Sequence, residues 1–163
     1  MDAALDAWKD FDVAMLGATA ALAGLVIVAA TINIAVIVKE RSLTARVANA
    51  IAGLVLAICV CAVGLMPGLT GAAYGWTTLV LAAAVAVFST SATIRVYQNR
   101  DPWNRMRWGK AVMAYLAPVV YGTGAVMLLA GSSVGLIVVA VGALAAIVTA
   151  LLVSWIVLVE VLR

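Results

Sequence analysis

The sequence contains no histidine and few charged residues of either sign. Asp, Glu, Lys and Arg make up 10% of the 163 residues, whereas hydrophobic residues make up 67%. Without histidine the chain lacks the usual imidazole ligand for haem or copper, and the side chain best suited to proton transfer near neutral pH. A chain of this composition cannot be a soluble domain with one core. We therefore expect a polytopic membrane protein.

Groups that could carry out catalysis are also scarce. No ionisable residue lies in the middle of a hydrophobic run, which counts against pumps and proton-coupled carriers. A membrane-embedded hydrolase would need a carboxylate pair, a serine–histidine pair or a metal cluster, and none is available. Cys59 and Cys61 would point about 200° apart around a helix, so we interpret them as free, buried hydrophobic residues. The sequence predicts no enzymatic activity, no cofactor and no bound metal.

Hydrophobic runs long enough to cross a bilayer, which takes roughly 20 helical residues, occur five times in the chain. We predict an all-α protein with one transmembrane domain, residues 1–163, and spans at about 11–38, 47–66, 74–94, 111–130 and 134–159. The dipeptide Pro67–Gly68 and the tripeptide 131–133 predict tight turns. Pro118 leaves the carbonyl of Ala114 without its amide partner and should kink the fourth helix.

The basic residues predict how the chain is oriented in the membrane. Three fall between the first two spans and five between the third and fourth. These eight are Lys39, Arg41, Arg46, Arg95, Arg100, Arg105, Arg107 and Lys110. With Arg163 they account for nine of the ten bases, and the positive-inside rule assigns them to the cytoplasm. The N-terminus should therefore lie outside and the C-terminus in the cytoplasm.

The basic segment between the third and fourth spans has a second interpretation. Its net charge could attract anionic lipid headgroups at the membrane surface. The candidate headgroup ligands are Arg100, Arg105, Arg107 and Lys110. We read the positive charge of the chain as a topology signal and expect no binding of nucleic acid.

The first span carries two lengthwise stripes of residues at heptad spacing. One stripe has small side chains, which let another helix backbone approach closely in lipid, where apolar burial no longer drives association. We call it the small-residue seam; it consists of Gly17, Ala20, Ala21, Gly24 and Thr31, with Val28 and Ala35 in the same register. The second stripe, on roughly the opposite side, consists of Asp12, Thr19, Val26 and Asn33. The first helix should therefore contact protein on two sides.

The second stripe allows two interpretations. If several copies surrounded an axis, Asp12 would form an acidic ring at the outer end of a pore and Asn33 a polar ring towards the cytoplasm. Alternatively, Thr19 and Asn33 bond to neighbouring helices and Asp12 caps or precedes the first helix. Asn49, at a depth similar to that of Asn33, is a candidate partner for it. We favour the packing interpretation.

Small and polar residues elsewhere predict further packing contacts. Gly135, Gly142 and Thr149 repeat every seven residues in the fifth span and indicate another packing seam. The hydroxyls between Ser89 and Thr93 could line a small polar site, although such groups commonly bond to carbonyls of their own helix.

The first helix also resembles that of a known family. The matching residues are Phe11, Gly17, Ala18, Ala20, Ala21, Leu22, Ala23, Gly24, Leu25, Val28, Ala29, Ile32 and Asn33. They resemble the first helix of small, largely uncharacterised bacterial membrane proteins that are frequent in actinobacteria. In that family a glycine- and alanine-rich first helix typically closes on Ser-Ile-Asn, and Thr31 keeps the hydroxyl here. Some relatives are labelled modulators of an FtsH-type membrane protease, a role that no motif in this chain supports.

These observations favour two functions. The first is that of a non-enzymatic accessory or assembly protein of the cell membrane, which uses the small-residue seam to join copies of itself or a larger membrane complex. The second is that of a homo-oligomeric ion channel whose pore is lined by the first helix. The expected partners are membrane lipids and either the protein itself or another membrane protein.

Overall fold

The computed structural model describes residues 5–39, 41–98 and 107–161. Within these ranges the chain is helical apart from short turns, and it contains no strand. The helices are α1 (Lys9–Ile32), α2 (Ile34–Ile37), α3 (Arg41–Gly64), α4 (Gly71–Gln98), α5 (Arg107–Leu129) and α6 (Val134–Val161). The all-α fold class predicted from the sequence is confirmed for these residues.

Five of the helices contain a stretch long and apolar enough to cross a membrane. The stretches are Lys9–Ile32, Ser42–Gly64, Gly71–Ile94, Ala111–Leu129 and Val134–Val157. Each exceeds or approaches the roughly 20 residues that the hydrocarbon core requires. The chain is therefore a multi-pass membrane protein, and each predicted span corresponds to one of these helices.

The first predicted span is divided in the structure at Asn33. This residue has non-helical dihedral angles, φ −103° and ψ 16°. Its side-chain amide donates to the carbonyl of Ala29 at 3.0 Å, the acceptor that its own backbone amide would use in a continuous α-helix. Asparagine competes with the helix backbone in this way. The expectation of one unbroken helix over 11–38 is therefore wrong: α1 ends at Ile32, and the chain continues as the single turn α2.

The second span begins earlier than the sequence indicates. Helix α3 starts at Arg41, and its apolar stretch starts at Ser42. Arg46, which we assigned to the connection, lies inside this helix and is buried. The reversal between α2 and α3 is short because the Thr44 hydroxyl donates to the carbonyl of Ile37 at 2.7 Å. This bond supplies a partner to a carbonyl that the end of α2 leaves free.

Helix α3 is the centre of the bundle, and α1 lies at its edge. Helix α3 contacts each of the other four spanning helices, whereas α1 packs mainly on α3. Half of the α6 span and 44% of the α3 span are buried inside the chain, against 22% of the α1 span. Most of the α1 surface therefore faces away from the rest of the protein.

The predicted tight turns are present, and each uses a glycine with positive φ. Gly68 has φ +72° and Gly131 has φ +82°. At the end of α5 the amide of Ser132 donates to the carbonyl of Met127, and that of Gly131 donates to the carbonyl of Leu128. These two bonds form a Schellman motif, which needs a left-handed residue and therefore favours glycine. The turn brings α6 directly back along α5.

The packing seam predicted in α6 is confirmed. Gly135, Gly142 and Thr149 are all buried. A Cβ atom added to Gly135 would lie 2.7 Å from the carbonyl oxygen of Gly124, and one added to Gly142 would lie 3.1 Å from the ring of Tyr121. The glycines of α6 therefore allow its backbone to approach α5 closely, as small residues do between helices in lipid.

Candidate functional site

The small-residue seam of α1 lies on the outer surface of the chain. All five of its members are exposed: Gly17, Ala20, Ala21, Gly24 and Thr31. A Cβ atom added to Gly17 or Gly24 would meet no atom within 4 Å. The Thr31 hydroxyl donates to the carbonyl of Ile27 at 2.8 Å, so it is satisfied within its own helix. No described part of the chain covers this seam.

The opposite face of α1 packs into the bundle. Its buried residues are Asp12, Met15, Thr19, Ala23 and Val26, which follow the three- and four-residue spacing of a packed helix face. The Thr19 hydroxyl is fully buried and donates to the carbonyl of Met15 at 2.6 Å. Asp12 and Thr19 therefore lie inside a single chain. Because these side chains face the chain's own core, the structure favours the packing interpretation of the stripe, and its interpretation as rings around a pore shared by several copies stays a prediction.

Asn33 and Asn49 do not pair with each other. Asn33 bonds to its own helix, whereas the side-chain amide of Asn49 donates to the carbonyl of Ala114 on α5 at 3.4 Å. This carbonyl is the one that Pro118 deprives of its backbone donor. Asn49 therefore holds α3 against α5 at the proline. The kink itself stays a prediction.

The Asp12 side chain lines a small cavity to which five helical segments contribute. Trp8 and Phe11 lie beside it at the start of α1, and α3 contributes Cys61. Helix α4 contributes Tyr74 and α5 contributes Tyr121. The remaining walls are apolar residues of α6: Leu136, Val139, Ala140 and Ala143. We call this arrangement the Asp12 cluster.

A glycine of α3 provides the space for the carboxylate. A Cβ atom added to Gly64 would lie 2.5 Å from an oxygen of Asp12 and 3.4 Å from the ring of Tyr74. The thiol of Cys61 lines the same space as the carboxylate. Any larger residue at position 64 would displace Asp12, so the last residue of α3 sets where the acid lies.

Two buried tyrosines complete the cluster. Tyr74 is 2% exposed and Tyr121 is fully buried. The Tyr121 ring packs against Gly142, and its hydroxyl has no hydrogen-bond partner among the described residues. Trp8 and Phe11 form an edge-to-face pair with ring centroids 5.5 Å apart, a favourable aromatic geometry. Four aromatic residues therefore line the same cavity as the Asp12 carboxylate.

The space inside the Asp12 cluster is small. The cavity volume is about 10 Å³, which is near the minimum needed to hold one water molecule. Within the part of the chain that the structure describes, no lysine or arginine pairs with Asp12, and the neighbouring Lys9 pairs with Asp6 at 2.7 Å. The cluster thus combines a negative group, an unpaired hydroxyl and room for one small species.

Two of these residues have surroundings that the sequence did not predict. Tyr74, in the first turn of α4, is buried and lines the same space as Asp12. Cys61 is free and buried, as expected, and it lines the same space as the Asp12 carboxylate. The heptad spacing of Asp12 and Thr19 was the signal that could have identified Asp12 as buried.

Of the four hydroxyls predicted between Ser89 and Thr93, two bond to their own helix, whereas those of Ser89 and Thr93 are buried and have no partner among the described residues. Thr90 and Ser91 donate to the carbonyls of Ala86 and Phe88 at 2.8 and 2.7 Å, as expected for hydroxyls in a helix. The Tyr115 hydroxyl donates to Thr90 at 2.7 Å and links α5 to α4. These bonded hydroxyls stabilise the bundle and do not form a separate site.

The predicted headgroup ligands fall at the boundary of the described chain. Arg100 and Arg105 lie outside the described residues, and α5 begins at Arg107, with Lys110 in its first turn. Contact between Arg100, Arg105, Arg107 or Lys110 and lipid stays a prediction. Among the described residues, no three Asp, Glu, Cys or His side chains gather in a way that could hold a metal ion.

The chain was compared with protein-family models, curated proteins and solved structures. None of them matches. The resemblance of α1 to the actinobacterial membrane family therefore stays a prediction, and the function has to be argued from the two features of this chain described above. These features are the outward small-residue seam and the Asp12 cluster.

Proposed function

We propose that this protein is a non-enzymatic accessory or assembly protein of a bacterial cell membrane. It joins a second copy of itself or a larger membrane complex through the small-residue seam of α1. The observation that carries the proposal is the exposure of Gly17 and Gly24, at each of which an added Cβ atom would meet no described atom within 4 Å. Small residues at heptad spacing let helices approach closely in lipid, and this chain leaves the surface free for a partner.

The other face of α1 supports the same function. Asp12, Met15, Thr19 and Val26 hold α1 against the bundle, so the seam is presented on a fixed helix. A partner helix would therefore meet a surface that is already ordered and would lose less conformational freedom on binding. The channel hypothesis has less support, because Asp12 and Thr19 are buried within one chain.

The proposal includes the orientation of the chain in the membrane. The basic connections lie in the cytoplasm and the start of α1 lies outside, by the positive-inside rule. The seam then runs from the outer surface at Gly17 to the cytoplasmic side at Thr31. A partner would contact it across most of the membrane thickness.

The test is the mass of the assembly extracted in native lipid. Wild type should be isolated with a second copy or with other membrane proteins, and Gly24→Leu should be isolated alone, because leucine blocks close approach. Gly122→Leu is the matched control, since a Cβ added there also meets no atom within 4 Å but lies on α5. Isolation of wild type as a single chain, or an unchanged assembly in Gly24→Leu, would refute the proposal.

A further inference from the structure

The Asp12 cluster has the chemistry of a cation site. Asp12 is 7% exposed, and burial of an unpaired carboxylate is costly. Among the side chains that the structure describes, no lysine or arginine pairs with it. The aromatic residues Trp8, Phe11, Tyr74 and Tyr121 line the same space. Aromatic faces attract cations that are weakly hydrated, and rings around a positive group are a known means of recognising ammonium compounds.

The Tyr121 hydroxyl provides a second, independent indication of a ligand. It is fully buried and has no partner among the residues that the structure describes, although buried hydroxyls are nearly always hydrogen-bonded. Leaving such a group unpaired costs roughly 1–3 kcal/mol. A ligand that donates to this oxygen and to Asp12 would remove that cost. Asp12 and Tyr121 both line the cavity.

The size and the number of oxygen ligands restrict the cation. The space accommodates one water-sized group, which excludes a trimethylated ammonium. Calcium takes six to eight oxygen ligands, and magnesium demands near-ideal octahedral geometry, whereas this site offers the oxygens of one carboxylate and two phenols. An ammonium group needs only acceptors and aromatic faces around its N–H bonds.

We propose that the Asp12 cluster binds a single ammonium group, either free ammonium or the primary ammonium of a lipid headgroup. The Asp12 carboxylate and the Tyr121 hydroxyl accept its N–H bonds, and the aromatic rings surround it. The cluster involves the fourth residue of α1 and the fourth of α4, so it lies near one end of the bundle. A headgroup can reach that depth.

The experiment measures thermal unfolding of the purified protein at constant ionic strength. In detergent, replacing sodium chloride with ammonium chloride should raise the unfolding temperature of wild type in a saturable manner. Tyr121→Phe should keep its stability in sodium, because it removes only an unpaired hydroxyl, but should bind ammonium roughly tenfold more weakly or worse. Asp12→Asn should lose the response altogether.

Two matched variants control for changes outside the cluster. Asp10→Asn removes an exposed carboxylate from the same helical turn, and Tyr97→Phe removes an exposed hydroxyl. Both should respond to ammonium as wild type does. If Asp12→Asn does not fold, the ammonium response of Tyr121→Phe is compared with that of Tyr97→Phe. A weaker response of Tyr121→Phe alone supports binding in the Asp12 cluster.

Measurements in bilayer discs of two different lipids distinguish free ammonium from the ammonium group of a headgroup. If a headgroup is the ligand, bilayer discs of phosphatidylethanolamine should stabilise wild type over Tyr121→Phe, whereas discs of phosphatidylcholine should not. A response to ammonium chloride in detergent without an effect of phosphatidylethanolamine assigns the site to free ammonium. The proposal fails if wild type responds to neither, if Tyr121→Phe responds as strongly as wild type, or if an experimental density shows only a water molecule that ammonium does not displace.

Discussion

Helices α1 and α6 both have glycines at heptad spacing, but only the glycines of α6 contact another helix of the chain. Each has glycines seven residues apart, at Gly17 and Gly24 in α1 and at Gly135 and Gly142 in α6. In α6 both glycines contact α5, whereas in α1 neither would have a neighbour within 4 Å even with a Cβ added. Spacing of small residues thus predicts that a helix backbone can be approached, but it does not say which partner approaches.

The connections explain which seam is used inside the chain. Helix α6 follows α5 after a turn at Gly131, and the Schellman motif directs it back along α5. Helix α1 instead contacts α3 through larger residues, Met15 and Val26, together with Thr19. Its glycines are left on the far side. The comparison predicts that equal substitutions on the two helices have unequal costs.

The largest difference is expected for glycine to leucine on the two seams. Gly135→Leu should lower the free energy of unfolding by about 3 kcal/mol, because its side chain would overlap the backbone of Gly124 and Leu128. Gly17→Leu should change it by less than about 0.5 kcal/mol, since it is an exposed position. Unfolding in detergent by increasing amounts of denaturing surfactant measures both. Equal losses for the two variants would contradict the comparison.

A substitution at Gly64 extends the comparison of glycine positions to the Asp12 cluster. Gly64→Ala places a Cβ atom against the Asp12 carboxylate and should destabilise the protein by about 1–2 kcal/mol. If that contact is the cause, the double variant Gly64→Ala with Asp12→Ala should be no less stable than Asp12→Ala alone. The same unfolding assay gives the coupling energy. Simple additivity of the two losses would show that Gly64 acts through something other than Asp12.

A smaller effect is expected when the comparison is extended to two asparagines. Asn49→Ala removes the bond to Ala114 at the proline of α5 and should cost about 1 kcal/mol, as typical hydrogen bonds between membrane helices do. Asn33→Ala removes a bond within α1 only and should cost less than about 0.5 kcal/mol. A loss for Asn33→Ala as large as that for Asn49→Ala would mean that Asn33 has a role between helices.

The sequence predicted the parts of the fold that depend on local patterns. The five spans, the glycine turns at 68 and 131 and the seam of α6 follow from hydrophobic length, backbone freedom and heptad spacing. The surroundings of Asp12 were not predictable in this way. Tyr74 and Tyr121 are far from Asp12 in the chain, and only the packing of α4 and α5 against α3 brings them to it. Periodicity identifies a face, whereas the partner of that face depends on the whole bundle.

The reversal between α2 and α3 has a practical consequence for handling this protein. Ile37 and Leu43 on either side of it are 3% and 2% exposed, and the Thr44 hydroxyl holds the carbonyl of Ile37. The two ends of this connection are thus anchored in the bundle, although Val38 between them is exposed. An epitope tag or a fluorescent fusion should be inserted elsewhere, for example beside Gly68. A Cβ atom added at Gly68 would meet no described atom within 4 Å, so there is space around this turn.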